Sequence, residues 1–307
     1  MQALIDVFIL LGITILVINV VYSLIMVRKN WDVFIKDKKL LIVQVAIIII
    51  AIFILVIICY CTYLQRIPNL LLSEVILVSA VVILLESIVA FDKIRSIKEC
   101  CMEILEMVIC VTEANDPNLS GHSLYVHNIV SVFYDYLPTN IQKNINIENI
   151  KYASLFIDLG KLGIPRSIIS KSGKLTASEM QLMQRHPELC TKMLGPISSF
   201  DMIKDWILYH HERVDGSGYY RLKGDEIPIA SRIIAIADTY SALTMDRTYR
   251  PSLSHDEAIT EIRQASGTQF DTRLVECFCE IPKHRLVECM EAVTRINARY
   301  KRMVSEE

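Results

Sequence analysis

Long uncharged apolar runs fill the first 92 residues of this chain and do not recur after them. Residues 7–27, VFILLGITILVINVVYSLIMV, and 40–64, LLIVQVAIIIIAIFILVIICYCTYL, carry no charge, and residues 70–91, LLLSEVILVSAVVILLESIVAF, carry only Glu74 and Glu86. A helix crosses a bilayer with roughly 20 apolar residues, so each run predicts a membrane span. The first run is not a cleaved secretory signal. It lacks a basic start and a small-residue cleavage site, and its apolar core is too long. The same runs lift the hydrophobic fraction to 52% and the mean hydropathy to +0.38, above a typical soluble domain. Arg28, Lys29, Lys36, Lys38 and Lys39 lie between the first two runs, Arg66 alone between the second and third, and Lys93, Arg95 and Lys98 after the third. The positive-inside rule then predicts a multi-pass protein of the cell membrane, with its N-terminus outside and everything after residue 92 in the cytoplasm. Glu74 and Glu86 read either as interfacial residues or as a sensing or helix-pairing pair.

Residues 93–115 continue as an amphipathic helix, with Ile94, Ile97, Cys101, Ile104, Leu105 and Val108 at steps of three and four. Such a helix could join two protomers as a homodimer, or pack as the first helix of its own domain. From residue 115 apolar stripes of helical period recur over 122–136, 148–159, 176–195, 201–211, 231–245, 256–266, 271–280 and 284–303, punctuated by Gly and Pro. No alternating strand pattern of useful length interrupts them. The predicted fold class is all-α: three transmembrane helices, then a cytoplasmic helical bundle. The predicted segments are a membrane region 1–92, a linker or signalling helix 93–115, a bundle domain 116–283, and a C-terminal helix and tail 284–307. The net charge of −2 provides no basic field for a DNA or RNA polymer. The nine cysteines follow neither a disulfide nor a zinc framework, which points to reduced thiols.

Chemistry-bearing residues are scattered through the second half: His122, Asp158, His186, the adjacent pair His210 and His211, and Asp238. Carboxylate plus imidazole is the donor mixture that binds divalent transition metals and activates water. Asp158 in KYASLFIDLGKLGI and Asp238 in SRIIAIADTYSAL interrupt strongly apolar helical stretches. A carboxylate there costs several kcal/mol unless it is compensated. Lys161, three residues after Asp158, shares its helix face. His210 and His211 would point about 100° apart on a regular helix, and can converge if the helix ends there, which the following DGSG turn favours.

Six stretches occur in one order: GHS at 121–123, DLGKLGIP at 158–165, KSGKLTASEMQLMQRHPE at 171–188, ILYHHERVDGSGY at 207–219, LKGDEIPIASRIIAIADTYSALTMDRTYR at 222–250 and GTQFD at 267–271. Together they resemble the HD-GYP family, a branch of the HD superfamily of metal-dependent phosphohydrolases. The resemblance implies a helical bundle holding one or two divalent transition metal ions, iron or manganese, and a cyclic dinucleotide substrate such as cyclic di-GMP. It implies His122, Asp158, His186, His210, His211 and Asp238 as metal ligands, with Asp158 and Lys161 as the catalytic pair. Lys161, Arg247, Arg250, Asp215, Gly216, Gly218 and Tyr219 would line the ligand.

Three positions depart from the family pattern. Ile157 stands where the histidine of the HD pair belongs, Tyr220 replaces the proline of the GYP signature, and Ser241 stands where many members carry an acidic residue. By the family's arrangement, the missing histidine belongs to the metal also held by His122 and Asp238. The other metal keeps Asp158, His186, His210 and His211. Two readings follow: a membrane-anchored cyclic dinucleotide phosphodiesterase with a weakened metal centre, or a catalytically silent receptor that binds the dinucleotide or a partner protein.

Overall fold

A computed structural model describes residues 2–29, 45–46, 49–51, 53, 70–113, 121–171, 173–246 and 251–305. Among these residues the backbone is helical, with one isolated parallel bridge between Ser266 and Phe270. The chain divides into two compact units, residues 1–102 and 103–307.

The first unit contains helix α1 (Gln2–Lys29) and most of helix α2 (Leu70–Glu113). Leu16, Asn19, Ser23, Ala80, Ser87 and Phe91 are buried between them. Ser23 donates to Asn19 Oδ1 at 3.1 Å, Ser87 reaches the same oxygen at 3.5 Å, and Tyr22 meets Phe91 edge to face at 5.5 Å. The expectation of three transmembrane helices is corrected here. Among the described residues no helix is long and apolar enough to cross a membrane. Runs 7–27 and 70–91 instead form a helix pair that turns polar and apolar side chains inward together, and the third run does not stop but continues as one helix through charged Asp92, Lys93 and Arg95 to Glu113. Run 40–64 lies almost wholly outside the described residues.

The second unit is built around α3 (His122–Asp135). Its neighbours are α5 (Ile147–Phe156), which follows the short α4 (Thr139–Asn144), α10 (Ile229–Thr244) and α13 (Lys283–Ser305). Between α5 and α10 run a 3₁₀ turn (Leu159–Gly163), α6 (Arg166–Ile169), α7 (Ala177–Met183), α8 (His186–Met193) and α9 (Asp201–Leu208). α11 (His255–Gln264) and α12 (Thr272–Cys279) complete the bundle. Leu124, Val126, Ile129, Val130 and Phe133 of α3 are at most 1% exposed and pack on α5 and α10. Phe133 and Tyr240 both meet Phe278 at ring distances of 5.0 and 5.4 Å. Helix starts are written in the sequence. Asn146 accepts from the N–H groups of Glu148 and Asn149, and Thr176 and Ser254 form capping boxes with Glu179 and Glu257.

Two predicted helices are shorter than their apolar stripes. The stripe 176–195 breaks at Gln184–Arg185, and Pro187 occupies the first turn of the new helix, so His186 opens α8. The stripe 148–159 stops at Phe156, and the 3₁₀ turn carries the chain past Asp158. That turn lies directly on α8. A Cβ on Gly160 would sit 1.9 Å from the carbonyl oxygen of His186 and 2.7 Å from the Cys190 nitrogen. Backbone atoms cannot rotate away, so Gly160→Ala must push the turn off α8. The expected loss exceeds about 3 kcal/mol, beyond ordinary overpacking. Chemical denaturation of the full chain measures it, and an unchanged midpoint would refute this packing.

Candidate metal centre

The candidate donors arrive from four helix ends and one helix interior. His122 is the first residue of α3, Asp158 lies two residues past α5, His186 opens α8, His210 and His211 follow α9, and Asp238 lies within α10. At a helix end the backbone leaves the regular spiral, which lets His210 and His211 face one point with ring centroids 3.9 Å apart. The ligand atoms of His186, His210 and His211 all lie within 4.8 Å of one another.

Hydrogen bonds set the imidazole tautomers. Nδ1 of His186 lies 2.9 Å from the Met183 carbonyl, and Nδ1 of His210 lies 2.6 Å from the Ile207 carbonyl. A carbonyl only accepts, so both Nδ1 atoms carry the proton and both Nε2 atoms present a lone pair. Those two Nε2 atoms face each other at 3.5 Å. Two opposed lone pairs repel unless a cation lies between them, and fixing imidazoles through backbone carbonyls is how proteins orient metal-binding histidines. The donor set therefore fits a divalent transition metal.

Asp158 links this group to His122. Its Oδ1 is 3.7 Å from His186 Nε2, while its Oδ2 is 3.6 Å from His122 Nε2 and accepts from Lys161 Nζ at 2.8 Å. One carboxylate thus turns an oxygen toward each half of the centre. His122 Nε2 also lies 2.9 Å from Asp238 Oδ1, and its Nδ1 lies 2.9 Å from the Ser241 hydroxyl. An ionised carboxylate only accepts, so His122 Nε2 carries the proton and donates to Asp238 Oδ1, while Nδ1 accepts from the Ser241 hydroxyl; metal ligation by Nε2 would displace that proton. Ile157 is fully buried and brings no donor atom to this half.

The electrostatics agree with this arrangement. Burial opposes ionisation of Asp158, but Lys161, joined in acid by the charges that His122 and His186 then carry, outweighs it and holds the carboxyl well below the usual range. For Asp238, burial is outweighed first by the hydrogen bond from His122, and in acid by the charges that His122 and His211 then take up. Burial pushes His186 down to about 4, lowers His210, and lowers His211 strongly with help from His210. Near neutral pH these three rings are therefore unprotonated, as metal ligation requires.

The loop after the histidine pair closes over the centre. The Tyr219 ring meets His211 at a tilt, with centroids 4.8 Å apart, and burial, then Asp238 and Asp158, push its hydroxyl up to about 12. Asp215 accepts from the Ser217 N–H and hydroxyl, Gly216 takes φ 81, and a side chain on Gly218 would strike the Glu212 backbone. Glu212, 4% exposed, holds the loop: its two carboxylate oxygens accept from the N–H groups of Tyr220 and Leu222, each at 2.7 Å. A proline at position 220 has no N–H to give, so the departure from the GYP signature adds a hydrogen bond. Arg247 and Arg250 lie outside the described residues.

Sequence reasoning did not single out Glu212, Glu113 or the role of Ser241. Glu212 directly follows the histidine pair, and its position there was the available signal. Glu113, 5% exposed, accepts from the N–H groups of Gly121 and Ser123 at 2.9 and 3.1 Å. A contact across that stretch has no periodic signature.

Known proteins bear on this centre. The profile of the family described as HD domain matches residues 108–274. A Vibrio cholerae protein named cyclic di-GMP phosphodiesterase is 35% identical over 184 residues, covering 56% of this chain and 37% of its own. A second Vibrio cholerae protein, named 3'3'-cGAMP-specific phosphodiesterase 2, is 41% identical over 134 residues, covering 43% of this chain and 26% of its own. A Thermotoga maritima protein named cyclic di-GMP phosphodiesterase is 32% identical over 184 residues, covering 59% of this chain and 49% of its own. The chain thus spans less than half the length of these relatives.

The low His186 value carries a pH dependence. The unfolded chain takes up this proton below about 6.5, whereas the folded chain resists until about 4. His127, also pushed down to about 4 by burial, acts in the same window. The unfolded state therefore binds more protons between these values, and stability falls as pH drops from 6.5 toward 4, by up to about 1.4 kcal/mol per pH unit for each ring. Melting temperatures of the chelator-treated chain from pH 7 to 5 test this. A flat or rising trend on acidification would contradict it.

Proposed function

The chain belongs to the HD domain family, and on that premise we propose that it is a metal-dependent phosphodiesterase acting on a cyclic dinucleotide, with cyclic di-GMP as the first substrate to test. The observation that carries the reading is the convergence of the His186 and His210 Nε2 lone pairs at 3.5 Å beside a carboxylate whose two oxygens face His186 and His122.

His186, His210, His211 and Asp158 would hold one ion of iron or manganese, and His122, Asp238 and the second oxygen of Asp158 a weaker second one. When bound, such an ion supplies Lewis-acid activation of water and of a phosphodiester. The chain's own residues position and neutralise the anion. Lys161 Nζ gives one N–H to Asp158 and has two further donors for a phosphate oxygen. Tyr219, exposed and in ring contact with His211, offers an aromatic face and a protonated hydroxyl beside the centre. Arg247 and Arg250 are proposed as forked donors to phosphate or guanine. Self-association through α2 is part of the same proposal, supported by Ile97, Ile104 and Val108, which are 56%, 49% and 44% exposed at helical spacing.

A receptor reading has its own support, because Ile157 takes a donor from one half of the centre. Hydrolysis of cyclic di-GMP and 3'3'-cGAMP by the full chain loaded with Mn²⁺ or Fe²⁺, with products resolved by chromatography, tests the proposal. Binding without linear product would favour the receptor. His210→Ala is expected to weaken metal binding by more than about tenfold. Unchanged metal content would sink the assignment. Ile157→His is expected to raise metal occupancy together with activity. If it unfolds the chain and gains no metal, the pocket has been rebuilt around isoleucine.

A further inference from the structure

His122 is held from behind by contacts that no metal chemistry demands. The residue before it, Gly121, has φ 82, a left-handed conformation that strongly favours glycine, and a Cβ there would lie 2.5 Å from Val293 Cγ1 and 2.6 Å from Asn297 Nδ2 of α13. On the other side stands Glu113, the last residue of the 44-residue helix α2. Its two oxygens accept from Gly121 N–H at 2.9 Å and from Ser123 N–H at 3.1 Å, the residues on either side of His122. The carboxylate is 5% exposed. Orphan N–H groups at a helix start normally find a side chain from the residue just before the helix. Here α3 has no such cap from Gly121, and a carboxylate eight and ten residues upstream takes the place.

We propose that Glu113 is a positioning residue for His122, through which the end of α2 controls the metal affinity of the His122–Asp238 half of the centre. The inference rests on the metal reading above and adds its regulation. The backbone of His122 is clamped between Glu113 and α13, while its ring meets Asp238 and Ser241, each at 2.9 Å. Displacing the last turn of α2 releases the clamp and moves the imbalanced half, which already lacks a donor at Ile157. The half built on His186 and His210 is anchored instead to the Met183 and Ile207 carbonyls, and among the described residues it has no hydrogen bond to Glu113. Coupling of this kind is reciprocal, so metal uptake also orders the end of α2.

The test is a double-mutant cycle on the full chain, with Mn²⁺ affinity measured against a competing chelator. Glu113→Ala should weaken Mn²⁺ binding about 10- to 100-fold, the range for residues that orient ligands. Glu113→Gln, which keeps one accepting oxygen, should recover part of the loss. In a His122→Ala background Glu113→Ala should add nothing, because the residue it positions is gone. In the wild type, Mn²⁺ should slow amide hydrogen exchange over 103–113. Unchanged affinity in Glu113→Ala, or an equal loss with and without His122, would overturn the proposal while leaving the metal reading intact. A wild-type chain that takes up no Mn²⁺ would overturn both.

Discussion

Asp158 is 7% exposed, and its ionised form persists because Lys161 Nζ donates to it at 2.8 Å, while His122 and His186 stand beside its two oxygens. A buried carboxylate without such partners would take up a proton and lose its capacity to bind cations. The fold around it is arranged to supply those partners. Lys161 comes from the same turn, His186 from the helix against which Gly160 is pressed, and His122 from the central helix of the bundle. Removing one partner leaves the others facing an uncompensated charge, so the group acts as a unit rather than as a sum of pairs.

Helix ends make this convergence affordable in backbone terms. A side chain in the middle of a helix is constrained to one stripe, as Asp238 is, whereas residues at or past an end can turn toward a common point. His122, Asp158, His186, His210 and His211 all occupy such places. The carbonyls at the ends of α7 and α9, left without helical partners, serve a second purpose, because Met183 and Ile207 accept the Nδ1–H of His186 and His210 and thereby choose the tautomer. The polar groups that a helix terminus leaves unsatisfied become the outer support of the metal centre.

The departures from the HD-GYP pattern are unequal in consequence. Tyr220 is absorbed, since its N–H joins the Leu222 N–H on Glu212 and closes the loop. Ser241 is also absorbed, because its hydroxyl reaches Nδ1 of His122. Ile157 is different: it is fully buried, and its side chain has no donor atom to offer. The two halves of the centre consequently differ in donor number, and the poorer half is the one tied to the end of α2 through Glu113.

Helical period, capping residues and the order of the motifs in 108–274 determined the all-α class and the family, because both are local or sequential properties. Asp158 and Asp238 stand out because carboxylates in apolar stretches demand compensation, and the resemblance joins His122, His186, His210 and His211 to them as candidate donors. Only the tertiary structure decided the distances between the donors, which nitrogen of each ring faces inward, and that Glu113, Glu212 and Ser241 support them. These are contacts between segments far apart in the chain, and no period encodes them. The apolar N-terminal runs show the converse. Length and hydropathy alone predicted membrane spans, but α1 and α2 pair through Asn19, Ser23 and Ser87, and among the described residues no helix is long and apolar enough to cross a membrane. Which residues of an apolar run become buried is decided by the surface it packs against, and composition does not contain that information.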